Sequence, residues 1–379
     1  MNRLSGFFAC LFCVAATYLF SCTGEGPVGP ELTLDQKLQK TLDDGILKYH
    51  GKGISAAVIF PDGHTWQGAA GISHDDVKIT TEMLFSAGST TKSFTAVSIM
   101  KMVEDGTLTL DDHIGKWLPV YANIDTTVTI RQLLNHTSGI FNVTENPQVW
   151  QDIFSDRQRI WSADDVLSNY ILEPYFQPGG GWHYCNTGYI ILRKLIHDLN
   201  GVSVAQFYRG RILDPCGLNN TYLYAEEALP APVAHGWFDV DGNGSYDDIT
   251  INPLISFYTA AGGGIFATPM DLALWARKIF IDGTVVSDAQ LEQMTDFYTP
   301  IPDEPLVEGY GLGIVHFNPA MFNGLTVYGH SGDAPGYAAG SLYLVDYDVC
   351  VGIADNTDAG DTIWVINDLL TIITGYMDK

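Results

Sequence analysis

Cationic residues are scarce in this 379-residue chain: 19 lysines and arginines stand against 44 aspartates and glutamates, a formal net charge of -25 at pH 7. Such a surface repels nucleic acid and anionic lipid alike, so no nucleic-acid partner is expected. Cysteine is scarce too, with six in all. Cys10, Cys13 and Cys22 fall in an N-terminal leader, which leaves Cys185, Cys216 and Cys350. These form no CxxC pair and no Cys/His metal spacing, and an odd set cannot pair completely, so no essential disulfide is predicted. Oxidation between two of them stays open to an exported chain. The absence of HExxH and of clustered His and Asp ligands removes metallohydrolase chemistry, and no cofactor is required. No internal repeat and no second linker interrupt the chain after its leader, so the rest reads as one catalytic unit with two lobes.

The leader, MNRLSGFFACLFCVAATYLFSC, sets one arginine before an apolar run too short and too one-sided in its flanks for a spanning helix. It reads as an export signal. Its end, Leu19-Phe20-Ser21-Cys22, resembles the lipobox of bacterial lipoproteins, which implies cleavage before Cys22 and acylation of that residue. A plain signal peptide cut nearby, or a retained signal anchor, is the alternative. The expected location is the cell envelope, periplasm or surface, with membrane contact only through lipid on Cys22. Residues 1–22 are then signal, 23–33 a Gly- and Pro-rich tether, and 34–379 the folded domain.

What is plentiful is core material: 46% hydrophobic residues, 12% aromatic and 39 glycines, the composition of a globular protein rather than a disordered one. Leu34, Leu38, Leu42 and Leu47 predict an opening amphipathic helix over 34–49. Two β-rich stretches around Pro61-Asp62-Gly63 predict a hairpin. After Ser89, the residues Phe94, Val97, Met100 and Val103 predict a helix that Gly106 stops. The middle, to about residue 300, reads as mainly helical. Strands are predicted at 325–328, 338–345 and 349–354, and a last helix from Thr362. The fold class is α/β in the α+β sense: one antiparallel sheet built from both chain ends and flanked by helices, about 34–88 and 301–379, plus a mainly helical lobe, about 89–300.

Three segments carry chemistry. Ser89-Thr90-Thr91-Lys92 sets a hydroxyl and an ammonium three residues apart on one face of a helix start, where the dipole favours negative charge beside Ser89. A semi-buried lysine loses part of its pKa and can accept a proton. The bland alternative is a helix cap with a solvated lysine. In the second segment, 178–189, Tyr184 and Asn186 alternate around Cys185. Tyr184 can carry protons near Lys92, and the Asn186 amide can bind a substrate carbonyl and Lys92 together. In the third, Tyr328 to Tyr337, Gly332 would let a substrate backbone lie against an edge strand, and His330 could stabilise a leaving group or carboxylate. The alternative for His330 is a packed strand histidine. Ser331 begins a G-x-S-x-G elbow whose fifth position, Asp333, fails the match.

In order and context, SxxK, YxN and HxG, with the phrases FSAGSTTKSFTA, LLNHTSGI, FQPGGGWHYCNTGYIIL, AAGGGIFATPMDLALW and GHSGDAPGY, resemble the serine β-lactamase and penicillin-binding superfamily. The branch is that of class C β-lactamases, D-alanyl-D-alanine carboxypeptidases, D-aminopeptidases and esterases. The resemblance spans 34–379 and implies a serine hydrolase that forms an acyl-enzyme on Ser89 and cleaves an amide, ester or β-lactam, D-amino-acid peptides of the cell wall among the candidates. It implies Lys92 and Tyr184 as the base pair, Asn186 as substrate contact, His330, Ser331, Gly332 and Asp333 as the lining strand, and the amides of Ser89 and Asp333 as oxyanion hole. Esterase activity, or a β-lactam-binding sensor with little turnover, is the runner-up. His330 stands where β-lactamases carry lysine, which argues against efficient lactamase activity. Asp333 disfavours a carboxylate at the mouth, and no class A deacylating glutamate is evident.

Separately, Asp239, Asp241, Asn243, Ser245 and Asp247 resemble an oxygen-rich calcium loop, a candidate structural site. Thr250 stands where the bidentate glutamate belongs, and a polar turn is the alternative.

Overall fold

The fold starts at a capping box: the Thr33 hydroxyl accepts the Gln36 N–H and the Gln36 carboxamide oxygen accepts the Thr33 N–H. Helix α1 (Leu34–Tyr49) follows and buries Leu38 and Leu42. The computed structural model describes residues 31–156, 159–230, 232–250, 263–301, 304–357 and 362–379. The leader with Cys22 lies outside them. No helix among the described residues is long and apolar enough to cross a membrane.

The predicted hairpin is β1 (Gly53–Ile59) and β2 (Thr65–His74), extended by β3 (Val77–Lys78). Every residue of β1 is buried, because both of its faces are covered. Ile54, Ala56 and Val58 pack with Leu38, Leu42 and Leu369, whereas Ala57 and Ile59 pack with Ala273 and Ala276.

The chain then runs through β4 (Phe85–Ser86) and a single 3₁₀ turn, Gly88–Thr90, into α2 (Thr91–Glu104). Helix α2 is buried on nearly all sides, so its polar residues find partners inside. Ser93 donates to the Thr90 carbonyl at 2.7 Å and accepts the Trp275 indole N–H at 2.8 Å, and Thr95 and Tyr208 share a hydroxyl bond at 2.7 Å. Short helices at Ile130–Leu134, Pro147–Ser155 and Ala163–Asn169 lead to α3 (Asn186–Asn200). Strands β5 (Thr221–Leu223) and β6 (Ile265–Ala267) join β4 in a small sheet under α2.

Helix α4 (Pro269–Phe280), which sequence pattern places in the helical lobe, packs instead on β1 and the C-terminal strands. Its Ala273 and Ala276 allow that close approach to the sheet. The return half comprises β7 (Val307–Tyr310), β8 (Val315–Phe317), β9 (Val327–Ala334), β10 (Tyr337–Leu344), β11 (Val349–Asp355) and α5 (Thr362–Met377). The eight-stranded sheet runs β3-β2-β1-β11-β10-β9-β8-β7, and both halves meet where β1 pairs with β11 from Ile54↔Asp355 to Ile59↔Cys350. The sheet is antiparallel and built from both chain ends, as expected. Strands β7 and β8 are additional to the sequence reading, and β9 runs on through the third motif.

Strand β8 pairs with β9 only at Val315↔Gly329 and His316↔Tyr328. Beyond Gly329 the outer edge of β9 faces the Gly88–Thr90 turn, where the Thr90 hydroxyl donates to the His330 carbonyl at 3.1 Å.

Candidate active site

Ser89 sits half-buried in the middle of the 3₁₀ turn that opens α2. One turn along, Lys92 is 0% exposed and its Nζ donates to Ser89 Oγ at 2.9 Å. Burial lowers the Lys92 pKa from its ordinary 10.5 to about 7, and only a weak influence of Cys185 opposes it. At neutral pH a large fraction of Lys92 is therefore an uncharged amine facing the nucleophile's hydroxyl.

Tyr184 completes the centre. Lys92 Nζ lies 4.9 Å from its ring centroid and 5.5 Å from that of Tyr189. Burial pushes the Tyr184 phenol up, and its hydrogen bond with Ser89 offsets this only in part, so the group is a protonated phenol rather than a phenolate. The two members of the expected base pair thus differ in state: Lys92 is able to accept a proton and Tyr184 to donate one.

His136 was not singled out from sequence, beyond its place in the phrase LLNHTSGI. It is 1% exposed and holds a left-handed backbone, φ 64°. Its Nδ1 accepts the Cys185 N–H at 3.0 Å, which fixes the backbone just after Tyr184 and puts the ring proton on Nε2. That Nε2 has no hydrogen-bond partner and lies among aromatic rings, with the centroids of Tyr184 and Tyr310 each 4.4 Å away. Burial, then the charge of Lys92, holds its pKa well below the usual histidine range.

The third motif departs from expectation in two places. His330 is 3% exposed, its Nδ1 is bonded to the Ser331 carbonyl, and its Nε2 lies 2.9 Å from the Tyr310 hydroxyl. Since the carbonyl only accepts, Nδ1 carries the proton and Tyr310 donates to Nε2. Burial and the nearby Lys92 push His330 down to about 3, so it is a neutral, fully engaged imidazole and not a contact for a leaving group or carboxylate. Gly332, expected to accommodate substrate backbone, instead accommodates the nucleophile's turn: a β-carbon there would meet Ala87 and Ser89 backbone atoms. From the other side Gly88, at φ 48°, lies against the backbone of Asp333. Ser331 is half-buried and Asp333 exposed.

Asn186 opens α3, and its side chain donates to the Thr144 hydroxyl at 3.1 Å rather than serving Lys92. Its own N–H goes to Asn142 Oδ1. Next to this, Glu145 takes hydrogen bonds from Tyr175, His183 and Asn142, which together outweigh burial and keep it ionised.

In the acidic loop, Asp239 accepts the N–H groups of Asn243 and Gly244, Asp241 accepts that of Asn243, and Asn243 accepts that of Ser245. Asp247 belongs to a two-residue strand paired with Trp237–Phe238. The Asp239, Asp241 and Asn243 side-chain oxygens thus accept backbone N–H groups within a polar turn, and among the described residues no group of three or more His, Cys, Asp or Glu is arranged to hold a metal. Cys185, Cys216 and Cys350 are free and buried.

A family model described as Beta-lactamase matches residues 34–371. Penicillin-binding protein 4* of Bacillus subtilis (strain 168) is 29% identical over 282 residues, 71% of this chain and 60% of its own length. Penicillin-binding protein 4 of Amycolatopsis lactamdurans is 29% identical over 317 residues, 79% of each. Among solved structures, D-amino acid amidase from Ochrobactrum anthropi SV3, complexed with L-phenylalanine, superposes with a TM-score of 0.80 at 25% identity, covering 91% of this chain and 99% of that one.

Proposed function

Because the chain belongs to the beta-lactamase family of serine hydrolases, we propose that it hydrolyses amides and short peptides of D-amino acids through an acyl-enzyme on Ser89. The observation that carries this is the 2.9 Å contact between Ser89 and a fully buried Lys92 whose pKa falls to about 7. The likeness to an amidase over 91% of the chain supports the substrate class.

Neutral Lys92 takes the Ser89 proton as Oγ bonds to the scissile carbonyl carbon. The oxyanion that forms faces the amides of Ser89 and Asp333, drawn together by the contact of Gly332 with the turn. As the C–N bond breaks, Tyr184 gives its proton to the departing amine and is reprotonated from Lys92. Water then attacks the ester carbonyl by the same steps in reverse, releasing the acid and restoring Ser89.

The test is the mass added to the intact protein by a fluorophosphonate or a fluorescent penicillin, beside Ser89→Ala. An adduct lost in Ser89→Ala is expected; no adduct from either probe on folded protein sinks the mechanism.

Export and lipidation at Cys22 are part of the same proposal, supported by the apolar leader and its Leu19-Phe20-Ser21-Cys22 end. Labelled palmitate should enter the chain in bacteria and not enter Cys22→Ser. Labelling that survives in Cys22→Ser would put the lipid elsewhere.

A further inference from the structure

The tether enters the fold at one end of the molecule, where the start of α1, the β1–β2 turn and the last turns of α5 come together. Two cavities border Tyr376 there, of about 440 Å³ and about 630 Å³; Leu32 lines the first, Phe60 and Met377 the second. Leu32 is 42% exposed and Tyr376 53%. The Phe60 ring meets Tyr376 edge-on at 6.4 Å and stacks on His64 at 5.5 Å, so an apolar ring backs the exposed one. In a chain of net charge -25, residues 369–377 of α5 carry no charge at all. The lysines beside them are tied to Glu31, Lys37 at 2.7 Å and Lys379 at 4.0 Å.

The nucleophile belongs to the opposite end of the same sheet. Gly332, whose neighbourhood is the Ser89 turn, lies in one row with Ala339, Ala354 and Ser55 across β9, β10, β11 and β1. From Ser55 the chain runs six residues to Pro61 at the tether end, about 20 Å at the rise of an extended strand. Cys22 stands nine residues before Glu31, a span of about 30 Å at full stretch. Lipid on Cys22 would therefore present this end of the domain to the bilayer at high effective concentration.

We propose that this end, with Leu32 and Tyr376 foremost, seats in the headgroup layer of a zwitterionic lipid bilayer and holds Ser89 turned away from it. The inference rests on acylation of Cys22 and adds a second contact with the membrane. Tyrosine suits that layer, having an apolar ring and a polar tip. The net charge of the chain makes anionic lipid the poorer surface. The nucleophile then stands about 20 Å or more above the lipid, within reach of dissolved or polymer-bound substrates rather than bilayer-embedded ones.

The test uses the full-length lipidated chain in phosphatidylcholine vesicles that contain a little nickel-chelating lipid. A nitroxide is placed on Gly375→Cys, where a β-carbon meets nothing within 4 Å, or on Val77→Cys, an exposed position at the nucleophile's end of the sheet. The cysteines of the unaltered domain are buried, and that chain serves as the blank. Thr371→Cys, also exposed and beside the first cavity, replaces Gly375→Cys should that variant melt early. Nickel at the headgroups should relax the label near Tyr376 and spare the one on Val77→Cys. Leu32→Ser and Tyr376→Ser should each cut the docked-to-free ratio by about tenfold.

Equal relaxation of the two labels, in a chain that takes up labelled palmitate and sediments with the vesicles, overturns docking and leaves acylation standing. A chain that takes up no lipid and stays in solution sinks both. A Gly375→Cys label shielded from dissolved nickel yet untouched by nickel at the headgroups assigns the cavities to the tether itself, and also overturns the inference.

Discussion

A β-carbon on Gly332 would stand 2.5 Å from the amide nitrogen of Ser89 and 2.1 Å from the carbonyl oxygen of Ala87. Strand and nucleophile turn are therefore in backbone contact, and their spacing depends on the missing side chain. Gly332→Ala pushes them apart, and a shift of about 1 Å at a reacting atom costs about a hundredfold in rate. A loss of that size in kcat/KM is expected on an amide substrate, in a protein that still melts cooperatively. An unchanged rate would show that the turn moves aside freely.

Lys92 must be neutral to accept the Ser89 proton, and its pKa is lowered to about 7. The rate of Ser89 labelling by an uncharged fluorophosphonate should therefore climb with pH through about 7 and level off above it. His136 and His330 stay neutral across this range and Tyr184 stays protonated, so one rising limb is expected. A rate independent of pH between about 5.5 and 8.5 would remove Lys92 as the base.

The same shift has a cost in stability, and its sign is fixed. Between about 7 and 10.5 the unfolded chain holds a proton on Lys92 that the folded chain lacks, so stability rises with pH across that window; below it the full cost of burial is present. Lys92→Met should raise the melting temperature at pH 7, by a stabilisation of at most about 5 kcal/mol, and raise it much less near pH 10. Equal gains at both pH values would contradict the buried-lysine account.

Tyr184→Phe keeps the ring contacts with His136 and Tyr310 and removes only the hydroxyl that meets Ser89 and, in the proposed mechanism, gives its proton to the departing amine. Acylation on an amide is expected to slow by about a hundred- to ten-thousandfold, with little change in melting temperature. Stopped-flow or quench measurements of the acylation step decide this, since a slowed deacylation alone would leave the first turnover intact.

His136→Ala leaves the Cys185 N–H without its acceptor and forces alanine into a left-handed backbone. The combined loss should be about 2–4 kcal/mol. Because the histidine acts on the backbone that carries Tyr184, kcat should fall more than KM changes. His136→Asn, a residue that tolerates this conformation, should recover part of the stability and little of kcat. A KM effect without a kcat effect would assign His136 to substrate binding instead.

Sequence pattern reached much of this. The leucine spacing of α1, the Pro61-Asp62-Gly63 turn and the SxxK helix are local signals, and the structure places all three as read. What sequence could not reach is long-range. The fates of His330 and Gly332 depend on Tyr310 and on the Gly88–Thr90 turn, which come from distant parts of the chain. Tyr310 and Tyr189, whose hydroxyl donates to the Leu134 carbonyl, look like ordinary core aromatics in sequence. Helix α4 was drawn into the wrong layer because an alanine-rich face has no local mark of its partner.

The pairing of β1 with β11 sets an order in the protein's making. The Lys52 N–H bond to the Thr357 hydroxyl closes a span of 305 residues, and the six paired positions of β1 have no partner on that side until Cys350 to Asp355 have been made. Until then β1 is an apolar strand with an open edge, a template for any neighbouring chain. A chain that lacks residues 349–355 leaves this edge of β1 open, and an open apolar edge invites pairing with other chains rather than a modest loss of activity.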